Sequence, residues 1–113
     1  MKVISYSEIE TYELTPGVHR RVLISEDDGA KGVLAIAWEL EPDCKSHSHS
    51  HSYEHGALIL SGEGLLLCGE KQTPIKKNDV IFINANMHHC FFNNSSKKLS
   101  YVLFSQPHIR DKT

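Results

Sequence analysis

Hydrophobic positions in this chain come in short runs separated by polar, turn-forming stretches. "VHRRVLIS" is followed by "EDDGAKG", "VLAIAWEL" by "EPDCKS", "HGALIL" by "SGEG", and "LLLCG" by "EKQTP". Then "DVIFI" gives way to "NANM", "HHCFF" to "NNSSKK", and "LSYVLFS" to "QP". No segment sustains the spacing of a long amphipathic helix. Short β-rich runs with Gly, Pro, Asn and Asp between them predict an all-β fold, an antiparallel sandwich or barrel. "VLAIAWEL" and "LSYVLFS" should each turn one face to an apolar interior. The turn chemistry agrees. Gly62 and Gly64 flank Glu63 at a tight hairpin position, and Asn78-Asp79 and Asn93-Asn94 tolerate left-handed backbone.

One stretch breaks the apolar pattern. "SHSHSHSYEHGALILSGEG", residues 46–64, places His47, His49, His51 and His55 close together. Its Ser/His alternation has a period of two, the period of a strand and not of a helix. An extended chain would put His47, His49 and His51 on one face and Ser46, Ser48 and Ser50 on the other. A short turn at residues 52–53 would let His55 return on the next strand, sharing a face with Ala57 and Ile59. Imidazoles converging from adjacent strands are a ligand set for a transition metal. Further along, "NANMHHCFFN" offers His88 and His89, with Phe91 and Asn93 on the face of His89; spacing alone does not choose between the pair. The competing reading is a Ser-rich surface loop that binds metal only adventitiously. Against it, the run abuts "HGALIL" with no intervening linker, and a second His pair follows.

Charge and composition narrow the class. A chain of 113 residues is one domain's worth, with room for a hydrophobic core. A formal net charge of −2 offers no electrostatic footprint for nucleic acid or anionic lipid. The pairs Lys76-Lys77 and Lys97-Lys98 read as solvated turn tips. No apolar run reaches the roughly 18 residues of a membrane helix. The N-terminus, with Glu8, Glu10 and Glu13, lacks the pattern of a signal peptide, so the expected location is cytoplasmic. Cys44, Cys68 and Cys90 are odd in number and form no C-x-x-C, which argues against a disulfide framework. Cys44 and Cys90 fall near the candidate site but read as buried or bystander thiols.

These residues resemble the cupins, whose first motif is G-x5-H-x-H-x3,4-E-x6-G and second G-x5-P-x-G-x2-H-x3-N. Anchored on Gly62, the first motif spans residues 43–62 and puts its H-x-H at His49 and His51 and its acidic position at His55. The second spans residues 78–93, with His89 and Asn93 in its His and Asn positions. Asp43, Asn78 and Asn86 replace glycines, and Asp and Asn are the non-glycine residues best suited to left-handed turns. Asn84 replaces the proline. His55 replaces the glutamate, although Glu54 lies next door. Strand parity and the count to Gly62 both favour His55, since a slip of one residue points a side chain to the opposite face. The resemblance therefore implies a double-stranded jelly-roll barrel with four metal ligands: His49, His51, His55 and His89. His47 would sit further out, at the mouth of the barrel. His88 lies outside the motif, and His19 and His108 belong to no cluster.

Four neutral imidazoles would leave a bound ion its full 2+ charge, making it a stronger electrophile than a carboxylate-ligated one. The resemblance admits Mn, Zn, Ni or Fe. The pocket is expected to be apolar, with Phe82, Phe91, Tyr53, Tyr101 and Trp38 around it and Asn93 supporting a turn. No catalytic residue is identifiable. The expected function is a small metalloenzyme, an isomerase, lyase or dioxygenase, acting on a sugar acid, keto-enol or dicarbonyl. A non-catalytic module that senses a small ligand or metal is the alternative. The resemblance also implies a homodimer paired through residues before Val33, and the chain permits it, since "VHRRVLIS" could pair at a sheet edge across a two-fold axis.

Overall fold

A computed structural model of the chain describes residues 1–48, 50 and 52–106. The short apolar runs become strands: β1 Tyr12–Thr15, β2 Val18–Ile24, β3 Leu34–Leu40, β4 His55–Ser61, β5 Glu63–Cys68, β6 Lys71–Lys76, β7 Val80–Ile83, β8 His89–Phe92 and β9 Leu99–Ser105. All pairings are antiparallel. One sheet has the order β1-β2-β3-β9-β4-β7, the other β6-β5-β8. Short 3-10 turns at Tyr6–Glu8 and Glu26–Asp28 are the helical elements among the described residues. No described helix is long and apolar enough to cross a membrane.

The alternation anticipated from the sequence packs the two sheets into a jelly-roll barrel. On β4, His55, Ala57 and Ile59 point inward and are buried, while Leu58 and Leu60 are exposed. On β9, Leu99, Tyr101 and Leu103 join Leu34, Ile36, Trp38 and Leu40 of β3 in the core. Leu66, Ile75 and Phe91 contribute from the smaller sheet. Phe91 stacks on Tyr101 with centroids 4.1 Å apart, so one aromatic pair ties the sheets together. Strand β3 is buried on both faces, because Ala35 and Ala37 form a second small cluster with Val102 on its outer side.

The two ends of the barrel differ. At one end Gly62 adopts φ 82°, and a Cβ there would strike the carbonyl oxygen of Lys98, so only glycine fits. Lys77 N donates to Gly62 O, Asn78 N to Ile59 O and Ile59 N to Asp79 O, which locks the β4–β5 and β6–β7 turns together. The fully buried Asn93 completes this end: its amide donates to Leu40 O and Lys97 O and accepts from Ser95 N and Oγ. That is the supporting role expected of it. At the other end lie the N-terminus of β4 and the turn between β7 and β8. The three residues standing where the cupin motifs carry glycine, Asp43, Asn78 and Asn86, all take positive φ, at 66°, 75° and 66°.

Four expectations need correction. "EKQTP" is not simply a turn: residues 71–76 form β6, an edge strand with only Ile75 buried, on which Pro74 is tolerated. "VHRRVLIS" is not at a sheet edge, since β2 is flanked by β1 and β3; the exposed β1 forms the edge. The described part of the Ser/His run is not a regular strand. Lys45 makes an isolated bridge to Phe92, and Ser46 pairs with Phe91 through N→O and Oγ contacts, after which the ladder stops. Finally, Phe82 does not face the interior. Its neighbours Ile81 and Ile83 do, so parity turns Phe82 outward, 60% exposed.

Candidate metal centre

His55 opens β4 and His89 opens β8, so each imidazole is positioned by the first residue of a strand that carries apolar core residues further along. His55 pairs with Ile83 on β7, and His89 with Cys68 on β5. The two sheets thus bring together two imidazoles that lie far apart in sequence. His55 is 1% exposed and His89 3%. Their ring centroids are 5.4 Å apart with an edge-to-face tilt of 65°. Tyr53 stands on the other side of His55, 5.1 Å between centroids.

Burying an imidazole is costly unless its polar atoms find partners. For His89 the partner fixes the chemistry: Nδ1 lies 2.9 Å from Met87 O. A carbonyl only accepts, so Nδ1 carries a proton, and in the neutral ring the lone pair is left on Nε2. A backbone carbonyl holding one ring nitrogen while the other is aimed inward is the usual support of a ligating histidine. This anchor, set by the turn at residues 84–87 that Met87 N closes on Asn84 O, was not legible from the motif.

The centroid spacing also suits ligation. With a metal–nitrogen bond of about 2.1 Å, two imidazoles at neighbouring coordination positions have centroids roughly 5 Å apart. The residues present therefore fit a divalent transition metal. His49 and His51 lie outside the described residues. Among the described residues no three His, Cys, Asp or Glu side chains converge on one point.

The remaining candidates separate cleanly. Glu54 is exposed where His55 is buried, as parity requires. His47 is exposed, and His88, also exposed, exchanges a short hydrogen bond with Ser48 Oγ. His19 lies on β2 and meets Glu13 Oε2 at 3.2 Å, far from the barrel end. His108 lies outside the described residues.

The thiols were harder to place. Cys68 packs against the core opposite His89, a neighbour visible only once the β5–β8 register is known. Burial pushes its thiol up, with Lys71 pulling weakly the other way. Cys90 is buried on the outer side of β8. Burial pushes it up as well, with Lys45 and a hydrogen bond from Ser48 opposing. Cys44 sits at the opposite end, its Sγ 3.6 Å from Pro16 O.

A cupin-domain family model matches residues 37–105. No curated protein matches the chain by sequence. Among solved structures, the polyketide cyclase RemF from Streptomyces resistomycificus superposes with a TM-score of 0.84 at 21% identity, over 100% of this chain and 86% of that one. A predicted oxalate decarboxylase from Thermotoga maritima gives 0.79 at 27% identity, covering 91% and 96%. A sugar phosphate isomerase of the cupin superfamily from Silicibacter pomeroyi gives 0.80 at 18% identity, covering 93% and 75%.

Proposed function

The chain belongs to the cupin family, and we propose that it is a small metalloenzyme acting on an oxygen-rich small molecule such as a sugar acid, keto-enol or dicarbonyl. The observation that carries this reading is the pair of buried imidazoles, His55 and His89, brought within 5.4 Å of each other at one end of the barrel. His49 and His51 would complete a four-histidine set. The ion would be Mn, Zn, Ni or Fe, and when bound it would supply a Lewis acid able to polarise a coordinated oxygen.

The chain's own contribution is positional. His89 is held by Met87 O, so its ring is aimed before any ion arrives. His55 is set by β4, between Ile83 across the ladder and the ring of Tyr53. Phe91, Ile59 and Tyr101 are buried in the barrel core, and an apolar interior of this kind would strengthen electrostatic effects at the site. The substrate class is supported by likeness: the superposing structures are named as a polyketide cyclase, a predicted oxalate decarboxylase and a sugar phosphate isomerase, and each name points to an oxygen-rich substrate.

The test is the metal content of protein purified without a nickel column, followed by turnover assays on sugar acids, enols and dicarbonyls. One divalent ion per chain and metal-dependent turnover are expected. Ligation needs neutral imidazoles, so occupancy should fall as pH drops through about 6.5. A stoichiometric ion with no turnover of any substrate would favour a ligand- or metal-sensing barrel instead. Absence of metal under every loading condition would end the metalloenzyme and metal-sensing readings.

A further inference from the structure

One row on the inner face of the six-stranded sheet is more polar than a core requires. Tyr12 on β1, Arg20 on β2, Trp38 on β3 and Tyr101 on β9 are partners across successive ladders, so their side chains share a side. Trp38 and Tyr101 belong to the core, which makes that side the barrel interior. The guanidinium of the half-buried Arg20 lies over the Trp38 indole, 5.9 Å from its centroid. Trp38 is 2% exposed, yet its Nε1 meets no acceptor among the described residues. A buried N–H is costly without an acceptor, and a phenylalanine would pack here without that cost. Guanidinium and indole N–H groups only donate, so the row offers donors and a permanent positive charge.

No carboxylate on the neighbouring strands shares this face. Glu13 on β1 and Glu39 on β3 stand in the adjacent row with His19, and parity turns them outward. There Glu13 meets His19 and Glu39 meets Lys98. Glu10, just before β1, accepts from Tyr12 Oη at 2.8 Å. Arg21 shows what the outer face does with the same side chain: its Nη1 donates to Tyr6 O and Ile9 O. The inner row also reaches toward the imidazole pair. Tyr101 stacks on Phe91, and Phe91 shares a face of β8 with His89, two residues or roughly 7 Å away.

We propose that Arg20 and the Trp38 indole N–H form an anion subsite for the carboxylate of the substrate, with another oxygen of the same molecule at the metal. The inference rests on the proposed metal centre and narrows its substrates to acids, such as sugar acids, over neutral keto-enols and dicarbonyls. A guanidinium fork matches a carboxylate, and partial burial strengthens the charge-assisted bonds it makes.

Trp38 is the only tryptophan of the chain, so its fluorescence reads the subsite directly. The probes are glycolate, malonate and glucuronate, each beside its neutral amide, titrated into metal-loaded and chelator-treated protein. At least one acid should change the indole emission saturably in both forms, more tightly in the loaded one, with its amide about tenfold weaker or worse. This comparison uses the wild-type chain and needs no variant to fold. Arg20→Gln should weaken the acid about 10- to 100-fold while the amide and the metal content stay as in wild type. Arg20→Lys should recover part of that loss, and Arg21→Gln on the outer face should match wild type. Trp38→Phe, followed by calorimetry, should lose about 3- to 10-fold. No response to any acid, equal response to acid and amide, or unchanged acid affinity in Arg20→Gln would overturn the subsite and leave the metal centre standing. An Arg20-dependent response to acids in a chain that never takes up metal would keep the subsite and remove the metal centre.

Discussion

The two ends of this barrel are built on opposite principles. The end at Gly62, Asn78 and Asn93 is a set of turns interlocked by backbone hydrogen bonds, with a buried amide that both donates and accepts. The end at His55 and His89 brings two buried imidazoles together, each at the start of a strand. One end holds the strands in register; the other gathers the buried imidazoles proposed to hold a metal. Stability and chemistry should therefore separate by position, although the same strands run through both.

The largest expected effect is at the interlocked end. Gly62→Ala must adopt a left-handed conformation and drive its methyl into Lys98 O, costing about 3 kcal/mol or more. Thermal unfolding should show a midpoint lower by about 10 °C or more. Next comes Asn93→Ala, which removes the amide's bonds to Leu40 O, Lys97 O and Ser95 N; a loss of about 2–3 kcal/mol is expected in denaturant titration. In both variants the metal bound per folded chain should stay at the wild-type level. Loss of metal in proportion to stability would erase the distinction between the ends.

At the histidine end, Ser48→Ala removes the exposed hydroxyl bonded to His88 and should shift stability by less than about 0.5 kcal/mol. The smallest effect is a pH dependence. Lys76 N and Nζ both donate to the exposed carboxylate of Asp79, holding it below the ordinary carboxylate value. A carboxylate whose folded pKa is depressed stabilises the fold above its unfolded value of about 3.9 and loses that contribution as pH falls through the folded one. Wild type should thus slightly exceed Asp79→Asn in melting temperature at neutral pH, with the gap closing in acid. A gap that widens in acid would mean the wrong sign.

Much of this arrangement was legible in the sequence, for reasons that can be named. Period-two burial gave the faces of β3, β4 and β9, and with them the inward direction of His55 over Glu54. Asp43, Asn78 and Asn86 announced left-handed backbone because few other side chains tolerate it. What escaped were elements stabilised by neighbours and not by their own pattern. Strands β1 and β6 are almost wholly exposed, so neither carries an alternation to read. "VIFI" is apolar at every position, so nothing in it distinguishes the inward Ile83 from the outward Phe82. Along the Ser/His run a spacing of two mimicked a strand, yet a spacing cannot reveal that, among the described residues, pairing stops after Ser46. The Met87 anchor of His89 depends on a turn, and the nearness of Cys68 on a register.

The central claim is that the strand-borne pair His55 and His89, with His49 and His51, holds one metal ion. Elemental analysis of six folded single alanine variants, loaded identically, tests it most directly. The account predicts that alanine at His49, His51, His55 or His89 strips most of the metal, while His47→Ala and His88→Ala retain it. Full retention in His89→Ala with loss in His47→Ala would contradict it, because the ion would then belong to the Ser/His run and not to the two sheets.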